Sequence, residues 1–268
     1  MRYQTSQWII LLFLAAGASL ALLFYWGQIS ETPAEVVAEP APPPPERTRL
    51  LEPLHPIEWP DADAVGRPDL VPLPALDESD EYLKIEIVDI FGSPVADVLV
   101  ASGLIEKIVA TVDNLPRSHV PERIRPVGRL DSPFEFDGQN AGGSFRISPE
   151  NYDRYDSLVT LVASADLVEL FGLYRRYYPL FQKAYVGLGY PNRYFNDRLV
   201  EVIDHLLEMP DVPNPVNLVR PHVLFEHVDP RLEARSSGQK LLIRMGRRHA
   251  TTIKDALREF RTLVTNMQ

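Results

Sequence analysis

Apolar positions along this chain fall into one unbroken run and several periodic ones. The unbroken run is Trp8 to Trp26, WIILLFLAAGASLALLFYW, with no formal charge. At about 1.5 Å per residue it is about 28 Å long, which matches the hydrocarbon core of a bilayer. Trp8 stands at one end, and Tyr25 and Trp26 at the other, where amphipathic rings favour the headgroup region. The clearest periodic run lies between Ser164 and Glu208. Leu167, Leu170, Phe171, Tyr174, Tyr177, Tyr178, Phe181 and Tyr185 recur at the three/four spacing of one helical face. Phe195, Leu199, Val202, Ile203 and Leu206 do the same on a second helix, with Gly187, Gly189 and Pro191 marking a tight turn between them.

Further helices follow from the same period. Leu83, Ile87 and Ile90 give an apolar face that Gly92 ends, and Ser93-Pro94 starts a short helix. Ile105, Ile108, Val109 and Val112 form a third face, ending at Asn114-Leu115-Pro116. Ser148-Pro149 pairs a cap with a first-turn proline and opens a helix through Val162. Asp229-Pro230 opens a turn, Ser237 is read as the cap of Gly238 to Met245, and Gly246 ends that helix. Ile253, Ala256, Leu257, Phe260, Leu263 and Val264 line the last one. Pro179 inside the tyrosine-rich helix predicts a kink or break, because it removes one backbone donor. From about 117 to 147 the helical period vanishes. Phe134 to Phe136 and Ser144 to Ile147 alternate like a small hairpin or extended arm. Val219 to Phe225 reads as either a short strand or a helix.

Composition changes the picture chiefly before residue 77. Nearly half of the 25 prolines fall between Pro33 and Pro74, among acidic residues that outnumber basic ones. Such a stretch buries too little apolar surface to offset its ordering entropy, so residues 27–76 read as a disordered Pro-rich linker. Arg2 precedes the apolar run, and Glu31, Glu35 and Glu39 are the first charges after it. The positive-inside bias then places residues 1–7 in the cytoplasm and everything after residue 26 outside it. A cleaved signal peptide is the competing reading. It fits less well, because the run is long and the bulky Leu22 to Trp26 follow its small residues. The expected architecture is mainly α: a transmembrane anchor at 8–26, the linker, and a multi-helix bundle at 77–266 with the extended or β-hairpin insertion.

The net charge of -10 argues against a general nucleic-acid binder. Without cysteine there is no disulfide, thiolate metal site or Cys nucleophile. No nucleotide or cofactor motif occurs, so no cofactor is expected. His205, His222 and His227 with Asp204 make a poor metal set, since HExxH is absent and His222 and His227 are badly spaced on a helix.

Several linked motifs carry a resemblance: ATVDNLP (110–116), ISPENYDRYD (147–156), LYRRYYPLFQKAY (173–185), GYPNRYFNDRLVEVIDHLL (189–207) and GQKLLIRMG (238–246). Together they resemble an uncharacterised bacterial family, domain of unknown function 3014. The resemblance implies a bacterial envelope protein, and so an inner-membrane location with the folded domain in the periplasm. It implies no activity, cofactor or site residue.

The sharpest polar constellation is on the second central helix. Asp197, Glu201, Asp204 and Glu208 form one stripe, bordered by His205, and the first central helix offers Arg175, Arg176 and Lys183. An antiparallel pair would let these opposite charges meet across the hairpin. On that reading, Arg175→Ala and Asp197→Ala should each loosen the domain modestly. The candidate binding residues are therefore Arg175, Arg176, Tyr178, Asn196, Asp197, Arg198, Glu201, Asp204 and His205. The tyrosines read better as core than as a stacking platform. The basic C-terminal third reads first as a solvated face, with a dock for the acidic linker or a surface for anionic lipid or cell-wall polymer as the alternatives. The favoured function is a single-pass membrane protein with a periplasmic binding or scaffolding domain, its partner an envelope protein or cell-wall polymer. The second reading is a cell-envelope hydrolase using Glu201, Asp204 and His205, in which one perturbed carboxyl would face a cleft.

Overall fold

The computed structural model describes residues 52–57, 73–97, 99–128, 132–139 and 144–266. The proposed span at 8–26 and most of the Pro-rich stretch lie outside the described residues. Among the described residues, no single helix is long and apolar enough to cross a membrane.

The domain is mainly helical with a small antiparallel sheet. Helix α1 (Ser79–Phe91) ends at Gly92, whose φ of 86° breaks the helix while its N–H still reaches the Val88 carbonyl. A 3-10 turn (Ser93–Asp97) follows. Helix α2 (Leu104–Asn114) is capped from a distance: the Asp80 carboxylate on α1 accepts from Gly103 N and Leu104 N at 2.8 and 2.7 Å. A carboxylate there satisfies two orphan amides and faces the positive end of the helix dipole. The run opened by Ser148 is two helices, α3 (Pro149–Asp153) and α4 (Asp156–Ser164). Helix α5 (Leu167–Gly187) is capped by Asp166 and runs through Pro179 without breaking. Helix α6 (Phe195–Leu207) follows the Gly/Pro turn, where Gly189 takes a φ of 103°.

Beyond α6 lie α7 (Pro230–Glu233), α8 (Ser237–Met245) and α9 (Arg247–Thr265). The cap of α8 is Ser236, whose hydroxyl accepts from Gln239 N; Ser237, the expected cap, is already helical. Its hydroxyl donates instead among the Leu115 and Arg117 carbonyls just past α2, so it ties α8 to α2.

Helix α9 is the hub, packing on α4, α5, α6 and α8, while α2 packs on α5 and α6. The α5 tyrosine face is core, with Tyr174, Tyr177, Tyr178 and Tyr185 all buried. Helices α5 and α6 meet around Phe195. Its ring stacks on Phe181 at 5.7 Å and 5°, and Tyr174 and Tyr185 lie beside it. Helices α2 and α9 each pack on both members of this pair.

The hairpin is β1 (Phe136–Gln139) and β2 (Ser144–Ile147), and it grows into a four-stranded antiparallel sheet with β3 (Asn217–Val219) and β4 (Glu226–His227). The register aligns Phe145, Leu218 and His227, all buried, in one row across the sheet. Phe134, Phe136 and Phe225 cluster with Phe145, their ring centroids 4.5–6.4 Å apart. Of the stretch from Val219 to Phe225, Val219 ends β3, and residues 220–225 are neither strand nor helix but the bent connection to β4.

Gly246 joins α8 to α9 at φ 81°, ψ 161°, a region open to glycine almost alone. A Cβ there would lie 2.6 Å from the Tyr152 ring. Gly246→Ala should cost on the order of 3 kcal/mol, combining backbone strain with overpacking. Urea denaturation reads this as a lowered midpoint with an unchanged m-value.

Candidate functional site

The start of α6 carries the densest set of unusual contacts. Its N-cap, Tyr194, makes no side-chain cap bond. The orphan Phe195 N–H is met instead by Gln182 Oε1 of α5 at 2.8 Å, and Gln182 Nε2 holds the Arg193 carbonyl. Asn196 then projects inward and is fully buried. Its Oδ1 accepts from the Tyr174 hydroxyl at 3.1 Å. Its Nδ2 donates to the Val264 carbonyl at 3.0 Å and to the His55 carbonyl at 2.9 Å. Burial, then the charges of Tyr178 and Asp197, hold the Tyr174 pKa well above its ordinary value, so it remains a hydrogen donor.

Asp197, next in sequence, accepts from Leu54 N at 3.1 Å and His55 N at 2.8 Å. Residues 52–57 of the Pro-rich stretch thus lie on the domain, where the sequence predicts a free linker. Ile57 is only 5% exposed and belongs to the core cluster, whereas Leu54 is 79% exposed.

Arg198 points another way. Its Nε donates to Asp113 Oδ1 at 2.9 Å, one Nη to the Asp113 carbonyl, and the other to Glu201 at 2.8 Å. The Asp113 side chain is 5% exposed and also accepts from Arg117 at 2.7 Å and from the Tyr190 hydroxyl at 3.3 Å. Burial opposes the Arg198 charge, but Glu201 and Asp113 more than offset it and raise its pKa.

The charges expected to meet across α5 and α6 do not. Arg175 is exposed and forms no ion pair among the described residues. Arg176 pairs with Glu86 of α1 at 2.7 Å, and Tyr177 donates to the same carboxylate. Tyr178 is core. Asp204 takes a two-pronged bond from Arg261 of α9. His205 bonds Ser236 at 2.8 Å, and burial lowers its pKa. The physical reason is packing: α2, α9 and α1 come between or beside the two helices and offer nearer partners. None of the nine candidates lines the cavity of about 560 Å³ between Pro210–Val216 and Val228–Arg235, nor the smaller ones beside α9 and α1. Among the described residues, no three His, Asp or Glu groups converge on a metal position.

Two clusters were not foreseen. Asp113 is one; its signal is a carboxylate placed among the apolar positions of α2, where a charge needs a partner. The other joins β4, α7 and α8. Glu233 accepts from both His227 N and Nδ1 at 2.8 Å and binds the Lys240 ammonium with its other oxygen. Among the described residues, His227 Nε2 is buried without a hydrogen-bond partner. Burial first, with the nearby Arg244 and Lys240 cations, lowers the His227 pKa against the pull of Glu233. A neutral ring donating from Nδ1 fits this geometry.

Residues 104–261 match a family described as protein of unknown function (DUF3014). The chain belongs to that family. No curated protein and no solved structure is significantly similar to it. The matched range contains Asp113, Asn196, Asp197 and Arg198, whereas residues 52–57 precede it.

Arg198→Ala should destabilise the domain by about 2–3 kcal/mol, because it strips a charge partner from a buried carboxylate. Arg175→Ala should stay within about 0.5 kcal/mol of the parent. Chemical denaturation of both variants checks the contrast.

His227 gives a pH dependence of definite sign. Its unfolded pKa is near 6.5 and its folded pKa is lower. Below pH 6.5 the unfolded chain therefore binds more protons, so stability is full above that value and falls as pH drops. His205 acts in the same direction. Unfolding free energy measured from pH 7.5 to 5.5 should decline, and His227→Gln should flatten the slope.

Proposed function

We propose that this chain is a single-pass membrane-anchored envelope protein whose helical domain binds or scaffolds a partner outside the cytoplasm. The anchor rests on the length, charge-free character and aromatic ends of residues 8–26. The binding character rests on one observation: the α6 carboxylates are engaged one by one rather than converging. Asp197 holds backbone amides, Glu201 holds Arg198, and Asp204 holds Arg261. A hydrolase would need two such groups poised over one cavity, with at least one free to exchange a proton with substrate.

A phosphatase reporter fused after Gln268 should be active, and the same fusion lacking residues 8–26 inactive. Activity confined to a cytoplasmic reporter would overturn the topology. The combined variant Glu201→Gln and Asp204→Asn, checked for an unaltered fold by circular dichroism, should keep the cellular phenotype of the parent. Its loss would favour the hydrolase.

A further inference from the structure

Residues 52–57 show what the start of α6 is built to hold. Asp197 accepts two consecutive main-chain amides, Leu54 N and His55 N, and Asn196 donates to the His55 carbonyl that follows. These three bonds read a backbone that bends at Leu54 and His55, which turns two consecutive amides to one carboxylate, and they ignore its side chains, as the exposure of Leu54 shows. Selectivity comes from the flanks. Pro53 and Pro56 lack an N–H, so the segment carries few donors beyond the two that Asp197 meets. Ile57 supplies a buried aliphatic anchor. Prolines on both sides also restrict the free segment, which lowers the entropy lost on docking.

We propose that Asn196 and Asp197 form a peptide-binding site for Pro-x-x-Pro-aliphatic segments that bend between their prolines, and that residues 53–57 of the same chain are its resident, releasable ligand. The assignment rests on reading the domain as a binder, and it names the ligand class. The resident segment lies between the proposed anchor and the domain, so its docking sets the tether. From residue 26 to 52 the covalent path spans at most about 90 Å, whereas from residue 26 to 77 it spans about 180 Å. Release of the segment doubles the reach of the domain and opens the site to a partner of the same pattern.

The test uses the full chain in detergent micelles and a fluorescein-labelled peptide of residues 50–59. Ile57→Asp places a charge where the anchor is buried and should expel the resident segment. The labelled peptide should then bind the Ile57→Asp protein and not the parent. Adding Asp197→Ala should weaken that binding at least about tenfold. Hydrogen exchange supplies the second readout. The Leu54 and His55 amides should be protected in the parent and unprotected in Asp197→Ala, with the amides of α5 and α9 still protected in both. The proposal is overturned if the peptide fails to bind the Ile57→Asp protein, if binding ignores Asp197, or if the parent's Leu54 and His55 amides exchange freely. A parent dimer in sedimentation that Ile57→Asp dissociates would also overturn it, because the site would then hold a second copy's segment. None of these outcomes depends on which side of a membrane the domain occupies, so the topology fusion fails or succeeds independently.

Discussion

The buried amide of Asn196 is the constraint that the rest of the domain accommodates. It is wholly removed from solvent, and three of its bonds run to three different parts of the chain: Tyr174 on α5, Val264 on α9 and His55 ahead of the domain. An amide left unsatisfied in such a place costs about 1–3 kcal/mol per missing bond. Helices α5, α6 and α9 must therefore keep one mutual register for the set to close. The Val264 carbonyl is among the last of α9, so it has no intrahelical donor. Asn196 supplies one. The same logic recurs one residue pair along, where Arg198 caps the Asp113 carbonyl at the end of α2 and pairs with its carboxylate. That cation also offsets the negative end of the α2 dipole.

Asn196, Asp197 and Arg198 are consecutive, and each lies about 100° from the next around the helix. Each consequently faces a different neighbour: the core, the docked segment and α2. This explains why the carboxylate stripe is a poor guide. Asp197, Glu201, Asp204 and Glu208 do share a face, but a face several turns long meets different neighbours along its length. Near the start it meets residues 54 and 55, and near the end it meets Arg261.

The helices were legible because burial imposes a local period that any window of the chain displays. The α5 tyrosines, the α9 stripe and the stops at Gly92 and Gly246 follow from that period and from glycine chemistry alone. What was not legible is which helix lies beside which. The pairing of Arg176 with Glu86 spans ninety residues, and nothing near Arg176 distinguishes Glu86 from Asp197. Strands β3 and β4 are three and two residues long, too short for an alternating pattern to show. The cap of α8 was misplaced by one position because Ser236 and Ser237 are equivalent as caps. Only the nearby ends of α2 decide that Ser237 is needed elsewhere. The docked segment was hidden by its surroundings, since prolines and acidic residues dominate the average over residues 27–76 and mask one aliphatic anchor at Ile57.

The energetics of that segment argue for a latch rather than a permanent strap. Burying Ile57 contributes about 2 kcal/mol. Two bonds to a carboxylate and one to an amide add roughly 4–5 kcal/mol together. Ordering residues 54–57 costs about 1–2 kcal/mol each, somewhat less where proline already limits the chain. The gain exceeds the cost by no more than about 1–3 kcal/mol, enough to keep the segment docked and too little to hold it once the Ile57 anchor is lost. A segment held by so slender a margin yields to any competitor with a better aliphatic anchor or a stiffer backbone. Permanent attachment would have been simpler to achieve with more buried apolar surface, as the neighbouring helices do. Recognition through Asp197 and Asn196 instead leaves the two side chains between the prolines free to vary, and that is the property a binding site needs and a structural brace does not.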